Sequence, residues 1–329
     1  MSDWHDVSVL IVGCGSIGKR HARVLAVLGV RDVRACDPVE SQCQALQAET
    51  PSVRLYESFE AGLASEPATV LLGTPPKLHL PQAMQAIRAG CHVFSEKPLS
   101  DSTQGIDELE ALAHAADKKV AVGLCFRHHE GLVKAKSYLD CGRIGRLVSV
   151  RALMGEPLPE VRPDYRNLFS AQYMGALDLV HDIDLAIWYV GQPLRRVCCL
   201  GGSYSDIGIS APDIVEILME FEGRCLASVH LDFFQRPRRR QIEMLGTEGV
   251  IIVEFARWEH CTVSVYEAAK RAWSHEDIAT QRDDMFRAED REFLQAVAEE
   301  KPVHYGIAEA RQSVVVVEQC LEAINRQQA

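Results

Sequence analysis

The stretch VSVLIVGCGSIGKRHARVLAVLG, residues 7–29, decides the fold. Val7–Val12 is a short, mostly apolar run that reads as a buried strand. Gly13, Gly15 and Gly18 follow it as G-x-G-x-x-G. Ile17, His21, Val24, Leu25 and Leu28 then recur at helical spacing over Ser16–Leu28, and Gly29 stops the helix. Alone, the glycine pattern says little. Between a strand and an amphipathic helix it has a physical meaning. The first glycine permits a tight turn, the second lets a pyrophosphate approach the backbone, and the third lets the helix pack on the strand. Cys14, Ser16 and Ile17 complete this cradle. The N–H groups and dipole at the helix start favour an anion, the dipole by ~0.3–1 kcal/mol at an exposed site.

Working outward, Val33–Asp37 reads as a second strand, and Asp37 stands about 20 residues on, where a dinucleotide fingerprint places its acid. Its carboxylate would accept hydrogen bonds from ribose hydroxyls and repel a 2′-phosphate. Pro38 follows rather than an arginine, so NAD is expected over NADP. The competing reading is a glycine turn beside a surface aspartate. Further strands are expected at Val53–Tyr56, Thr69–Gly73, His92–Glu96 and Val120–Gly123, with helices at Leu78–Ala89 and Thr103–Ala116. This alternation implies an α/β, doubly wound parallel sheet over residues 1–123.

The pattern then changes. Gly175–Val190 reads as a helix ended by Gly191. Alternating runs follow at Arg195–Gly201, Ile214–Glu222, Cys225–Asp232, Arg240–Leu245, Val250–Val253 and Thr262–Tyr266, with a hairpin turn at Gly246–Gly249. Residues 124–329 are therefore expected to form an α+β domain with a largely antiparallel open sheet. Phe286–Glu300 and Ile307–Ile324 read as closing helices, the last able to pack back on the first domain. No flexible linker is visible, and a site between the domains is the default expectation.

Composition excludes several classes. The 329 residues are 47% hydrophobic and 25% charged, ordinary values for a globular chain large enough for two cores. A net charge of −11 repels nucleic acid and anionic membranes. One basic cluster, Arg236 with Arg238, Arg239 and Arg240, reads as a solvated strand end or an anion-binding edge. The 11 cysteines show no metal-ligand spacing and read as reduced, mostly buried thiols of a cytoplasmic protein. Residues 1–7 carry Asp3 and Asp6 and read as neither a signal nor a transit peptide.

At Glu96-Lys97-Pro98 the chain comes to resemble one family, the Gfo/Idh/MocA oxidoreductases. The likeness rests on residues 13–21, on Gly73-Thr74-Pro75-Pro76 with His79, and on Glu96-Lys97-Pro98-Leu99. It continues through Gly123 to Arg127 and the helix around His181–Ala186. The resemblance implies a Rossmann domain followed by a domain whose open sheet makes a homodimer or homotetramer interface. It implies hydride transfer on a sugar, polyol or nucleotide sugar, with Lys97 beside the nicotinamide and substrate. Thr74, Pro75, His79 and Glu96 would line the cofactor. The residues themselves allow the Lys97 role. Burial and a nicotinamide cation would each lower a lysine pKa from ~10.4 toward that of a proton acceptor near neutral pH. A cis Lys97–Pro98 bond would aim the side chain.

Asp178 and His181 are three apart on the expected helix and would share a face. Here the chain departs from the family's Asp-x-x-x-His, since Leu177 stands four before His181, which leaves the part played by Asp178 open. His181 is the candidate for sharing the proton relay. Arg127, Tyr165 and Arg166 are candidate substrate contacts through hydroxyl, carboxylate or phosphate groups. Trp188 and Tyr189 read as core. No metal is expected, although His181, Asp182 and Asp184 invite the question. Two other classes share the fold, an NAD-retaining glycoside-cleaving enzyme and a non-catalytic dinucleotide-binding regulator. Net NADH formation separates dehydrogenase chemistry from both.

Overall fold

The computed structural model describes residues 3–168 and 174–328. The chain divides into two units. One runs to Cys125 and includes Asp283–Val314; the other comprises Phe126–Arg282 and the chain from Val315 onward.

The first unit alternates strands and helices: β1 Val9–Val12, α1 Ser16–Val27, β2 Val33–Cys36, α2 Glu40–Glu49, β3 Arg54–Tyr56, α3 Phe59–Leu63, β4 Thr69–Leu72, α4 Pro76–Arg88, β5 His92–Ser95, α5 Ile106–Ala115 and β6 Val120–Val122. The six strands are all parallel, in the order β3-β2-β1-β4-β5-β6. Every residue of β1, β2 and β4 is buried, as expected of a sheet covered on both faces. Arg34 on β2 is the charged exception, and its guanidinium is held by Asp32 and by the Ser65 hydroxyl and carbonyl. From α1, Ala22, Val24 and Leu25 enter the core. Burying a leucine such as Leu25 contributes roughly 2 kcal/mol. The order reverses direction at β1 and β4, so the carboxyl ends of these strands border a crevice suited to a ligand.

The second unit contains α6 Glu130–Asp140, β7 Leu147–Gly155, the short helices α7 Leu158–Val161 and α8 Tyr165–Leu168, α9 Val180–Val190, and seven further strands. These are β8 Leu194–Gly202, β9 Ile214–Phe221, β10 Cys225–Asp232, β11 Arg239–Gly246, β12 Gly249–Glu254, β13 His260–Glu267 and β14 Ala272–Ala279. They form one sheet, β14-β13-β12-β11-β7-β10-β9-β8, antiparallel except where β7 pairs in parallel with β10. The α+β reading is right. Two strands extend it: β7, internal to the sheet, and the polar edge strand β14. The helices α10 Asp284–Ala298 and α11 Ile307–Gln328 close the chain. Among the described residues no helix is long and apolar enough to cross a membrane.

One expected helix is corrected. Gly175–Val190 is not continuous: a 3₁₀ turn, Gly175–Asp178, precedes α9, and Leu179 between them leaves helical geometry at φ −76, ψ 41. The cause is local. The Ala176 N–H donates to the Pro212 carbonyl at 2.8 Å, and Gly175, at φ +62, packs so closely on Pro212 that a β-carbon would collide with it. Asp178 and His181 therefore do not face one way as residues of one helix.

Candidate active site

In the first unit the turn from β1 into α1 is built as a phosphate cradle. Gly13 adopts φ +95, where L-residues are strained, and a β-carbon there would lie 2.8 Å from the Gly73 carbonyl group. A β-carbon on Gly18 would run into the Gly13 carbonyl oxygen, so α1 seats directly on the turn. Gly15 is different: apart from its own chain neighbours, nothing lies within 4 Å of where its β-carbon would be. That opening sits at the N-terminus of α1, where Gly15 as the cap residue supplies no side-chain acceptor to the first N–H groups. These residues fit an entering diphosphate.

Asp37 follows β2, as expected, and also acts within the protein. Its Oδ2 accepts the Cys14 N–H at 2.7 Å and its Oδ1 accepts the Val39 N–H at 2.8 Å. The carboxylate thus fixes the glycine turn, and each oxygen keeps lone-pair capacity for a hydroxyl donor. Cys14 contributes through its main chain. Its thiol is fully buried 3.8 Å from Cys43, and burial followed by that neighbour pushes its pKa up.

Beyond β4, Thr74 donates its hydroxyl to the Gln82 side chain at 2.6 Å, and Pro75 caps α4. His79 is buried, with Nδ1 2.8 Å from the Pro98 carbonyl and Nε2 2.7 Å from the Thr74 carbonyl. Burial lowers its pKa against the pull of those carbonyls. His79 therefore ties the loop after β4 to the loop after β5.

That second loop carries Glu96-Lys97-Pro98, and the Lys97–Pro98 peptide is cis. Glu96 is buried. Its Oε2 accepts the Lys97 main-chain N–H at 3.0 Å, and its Oε1 lies 3.0 Å from His21 Nε2. The other face of His21 meets Asp290 of α10, with Nδ1 3.0 Å from both carboxylate oxygens. Burial alone would strip the imidazole of its proton; Asp290 and then Glu96 outweigh it and hold the pKa at about 10. Glu96 is held below its usual range, because contact with His21 overcomes burial. The sequence suggested neither the His21 nor the Asp290 contact. A polar residue at a core-facing position of α1 was the available signal.

In the second unit α9 carries the other candidates. His181, in its first turn, meets the Phe126 ring edge-on at 4.9 Å. Asp178 accepts the Met174 N–H at 3.0 Å. Asp182 and Asp184 each face an arginine in a two-point contact. Arg240 Nε and Nη2 donate to Asp182 at 3.0 and 2.7 Å, and Arg127 Nε and Nη2 donate to Asp184 at the same distances. Arg240 also stacks on Phe126, at 3.9 Å from the ring centre.

The basic cluster divides: Arg236, beside Glu160, and Arg239 are exposed as a solvated strand end would be, whereas Arg238 contacts Glu156 and Arg240 is 5% exposed. Of the substrate candidates, Arg127 commits two donors to Asp184. Tyr165 is buried and donates to the Ile207 carbonyl at 2.7 Å, while Arg166 is exposed. Among the described residues no group of three or more His, Cys, Asp or Glu could hold a metal ion.

Residues 7–124 match the model of an oxidoreductase family with an NAD-binding Rossmann fold, and residues 132–252 match the GFO/IDH/MocA C-terminal domain. The chain is 29% identical over 234 residues to inositol 2-dehydrogenase 2 of Saccharopolyspora erythraea, across 68% of this chain and 66% of that one. It spans just under two thirds of the length of the inositol dehydrogenases it matches. GenD2 from gentamicin A biosynthesis, solved in complex with NAD, superposes with a TM-score of 0.82 at 25% identity, covering 97% of this chain and 94% of that one. The fold is shared with myo-inositol 2-dehydrogenase from Lactobacillus plantarum, at a TM-score of 0.83, 20% identity and 98% coverage of each chain. The chain belongs to the Gfo/Idh/MocA family of NAD-binding oxidoreductases.

Proposed function

We propose that the protein is a dehydrogenase acting on a secondary alcohol of a sugar, polyol or nucleotide sugar. One observation carries the reading. The glycine cradle ends β1 and Lys97 follows β5, so both stand at the carboxyl edge of one parallel sheet, two strand spacings or roughly 10 Å apart. An anion seat and a candidate base at that separation suit a bound dinucleotide whose reactive ring lies toward Lys97. The relatives named inositol dehydrogenases support the substrate class.

When bound, NAD supplies the hydride acceptor. The chain's own residues do the rest. The Gly13–Gly18 turn and the start of α1 seat the diphosphate. Asp37 orients the ribose and disfavours a 2′-phosphate, which favours NAD over NADP. His79 and Glu96 fix the loops on either side, with Thr74 and Pro75 shaping the wall. Lys97 takes the proton of the reacting hydroxyl. His181 is assigned to proton handling, and Asp178 holds the turn that precedes α9. Arg166 offers an exposed guanidinium to a substrate hydroxyl or acid. Arg127 and Tyr165 act by bracing their surroundings.

The protein is further assigned as a homodimer or homotetramer joined through the second unit's sheet. Leu200, Leu218 and Leu226 lie on one face of that sheet and are 65%, 61% and 58% exposed. Lys97→Ala should bind NAD with wild-type affinity by calorimetry and lose about 10²- to 10⁴-fold in NADH formation across a polyol panel. Full turnover in that variant would overturn the assignment.

A further inference from the structure

We propose that His21 and Asp290 are positioning residues for the Lys97 loop: a buried chain from Asp290 through His21 to Glu96 fixes the carboxylate that holds the Lys97 main chain. The inference rests on the reading of Lys97 given above and adds two residues to it. His21 is fully buried on α1, the helix whose first turn forms the anion cradle. It is gripped on both sides, 3.0 Å from Glu96 and 3.0 Å from Asp290. The Phe94 and Phe286 rings meet it edge-on at 5.4 and 5.7 Å, which leaves the imidazole little freedom to swing. Glu96 passes the constraint on by accepting the Lys97 N–H. Gly123 makes room for it, since a β-carbon there would stand 3.1 Å from the Glu96 carboxylate.

The charges fit a fixed orientation. The carboxylates facing His21 are Glu96, Asp290 and Glu289. Glu289 is fully buried, and burial followed by the charges of Glu96 and Asp290 drives its pKa well up; burial also pushes Asp290 up, against the pull of His21. One imidazole therefore stands between two carboxyl groups, with a third buried beside them. An apolar cluster of equal volume would join α1, β5 and α10 at a lower desolvation cost. What the ionic chain adds is direction: it sets where the Glu96 carboxylate points, and so the path of the main chain at Lys97. A shift of about 1 Å in a reacting group costs on the order of 100-fold in rate.

The test uses the full-length protein. Asp290→Asn keeps the shape of the side chain and removes the charge that holds the imidazolium. The variant is expected to stay folded, to keep its NAD affinity by calorimetry within about twofold, and to lose about 10- to 100-fold in kcat on myo-inositol or another polyol turned over, with KM little changed. A residue that merely stabilised the fold would lower the melting temperature and leave kcat alone. In parallel, nitrogen-15 histidine spectra of the NAD-bound protein, with His21 assigned by its loss in His21→Gln, should show both ring nitrogens protonated at about pH 8. Wild-type kcat in Asp290→Asn, or a neutral His21 at that pH, would overturn the proposal. If no polyol is turned over, the imidazole signal decides alone. A fully active Lys97→Ala would sink the Lys97 reading itself. An inactive Lys97→Ala beside a wild-type Asp290→Asn would overturn only the positioning role.

Discussion

Alanine at Gly15 and at Gly18 should separate folding from cofactor binding, although the two glycines are three residues apart. At Gly18 the new methyl would lie far inside 3.0 Å of the Gly13 carbonyl oxygen, a main-chain atom that cannot swing away. Such overpacking costs about 3 kcal/mol. Alanine's better helix propensity recovers about 1 kcal/mol, which leaves a loss of about 2 kcal/mol. For a domain of this size that is a fall of roughly 4–8 °C in melting temperature. At Gly15 the methyl meets nothing beyond its own chain neighbours, and the backbone sits at φ −68, which alanine adopts freely. A reduced unfolded-state entropy offsets the poorer helix cap, so the apo melting temperature should move by no more than about 2 °C.

The methyl at Gly15 does stand where the diphosphate must approach. A tenfold weaker Kd corresponds to about 1.4 kcal/mol. NAD at 100 times the wild-type Kd stabilises by about 2.7 kcal/mol, so the NAD-induced rise in melting temperature should fall to roughly half. Thermal melts with and without NAD, backed by calorimetry, read both effects. An undiminished NAD shift in Gly15→Ala would refute the placement of the diphosphate. A wild-type apo melt in Gly18→Ala would refute the close seating of α1 on the turn.

Asp182→Ala should cost about 3–5 kcal/mol in denaturant unfolding, because it leaves Arg240 charged and buried; pairing it with Arg240→Met should recover most of the loss. A single variant as stable as wild type would show that the pair contributes nothing. Leu218→Glu places a charge on the open sheet face and should shift sedimentation toward the monomer, whereas an unchanged species would place any interface elsewhere. Thermal stability should peak near pH 6.5. His21 and His230 are held at about 10 and about 9, so the stability they contribute is complete below about 6.5 and is lost as pH rises through those values. His92 and His128, pushed down to about 4 mainly by burial, resist the proton that the unfolded chain accepts, so stability also falls as pH drops from about 6.5 toward 4. A flat profile from pH 4 to 10 would contradict these environments.

The first unit was legible because its information is local. Strand, glycine turn and helix lie within residues 7–29, and Gly13 and Gly18 answer to contacts made within the turn or with Gly73. The strand β7 alternates Val150, Ala152 and Met154 inward, a period-two signal that is present but short. No such signal marks β14, whose residues are mostly exposed and which pairs only with β13. Nor does helical spacing alone reveal that Pro212 pulls Gly175 out of line and separates Asp178 from α9.

Sequence alone sufficed for the glycine turn, the place of Asp37 after β2 and the Glu96-Lys97-Pro98 loop, but not for the return of Asp283–Val314 to the first unit. Backbone sterics and hydrophobic periodicity act over a few residues, and a linear reading can follow them. Tertiary structure alone decided who partners the buried charges. His21 meets Asp290 across 269 residues of chain, Arg240 meets Asp182 across 58, and Arg127 meets Asp184 across 57. A charge can be buried only beside a compensating one, and any of 46 acidic residues could have served. Which of them did so was settled within each unit, by α1 against α10 in the first and by α9 against its arginine partners in the second.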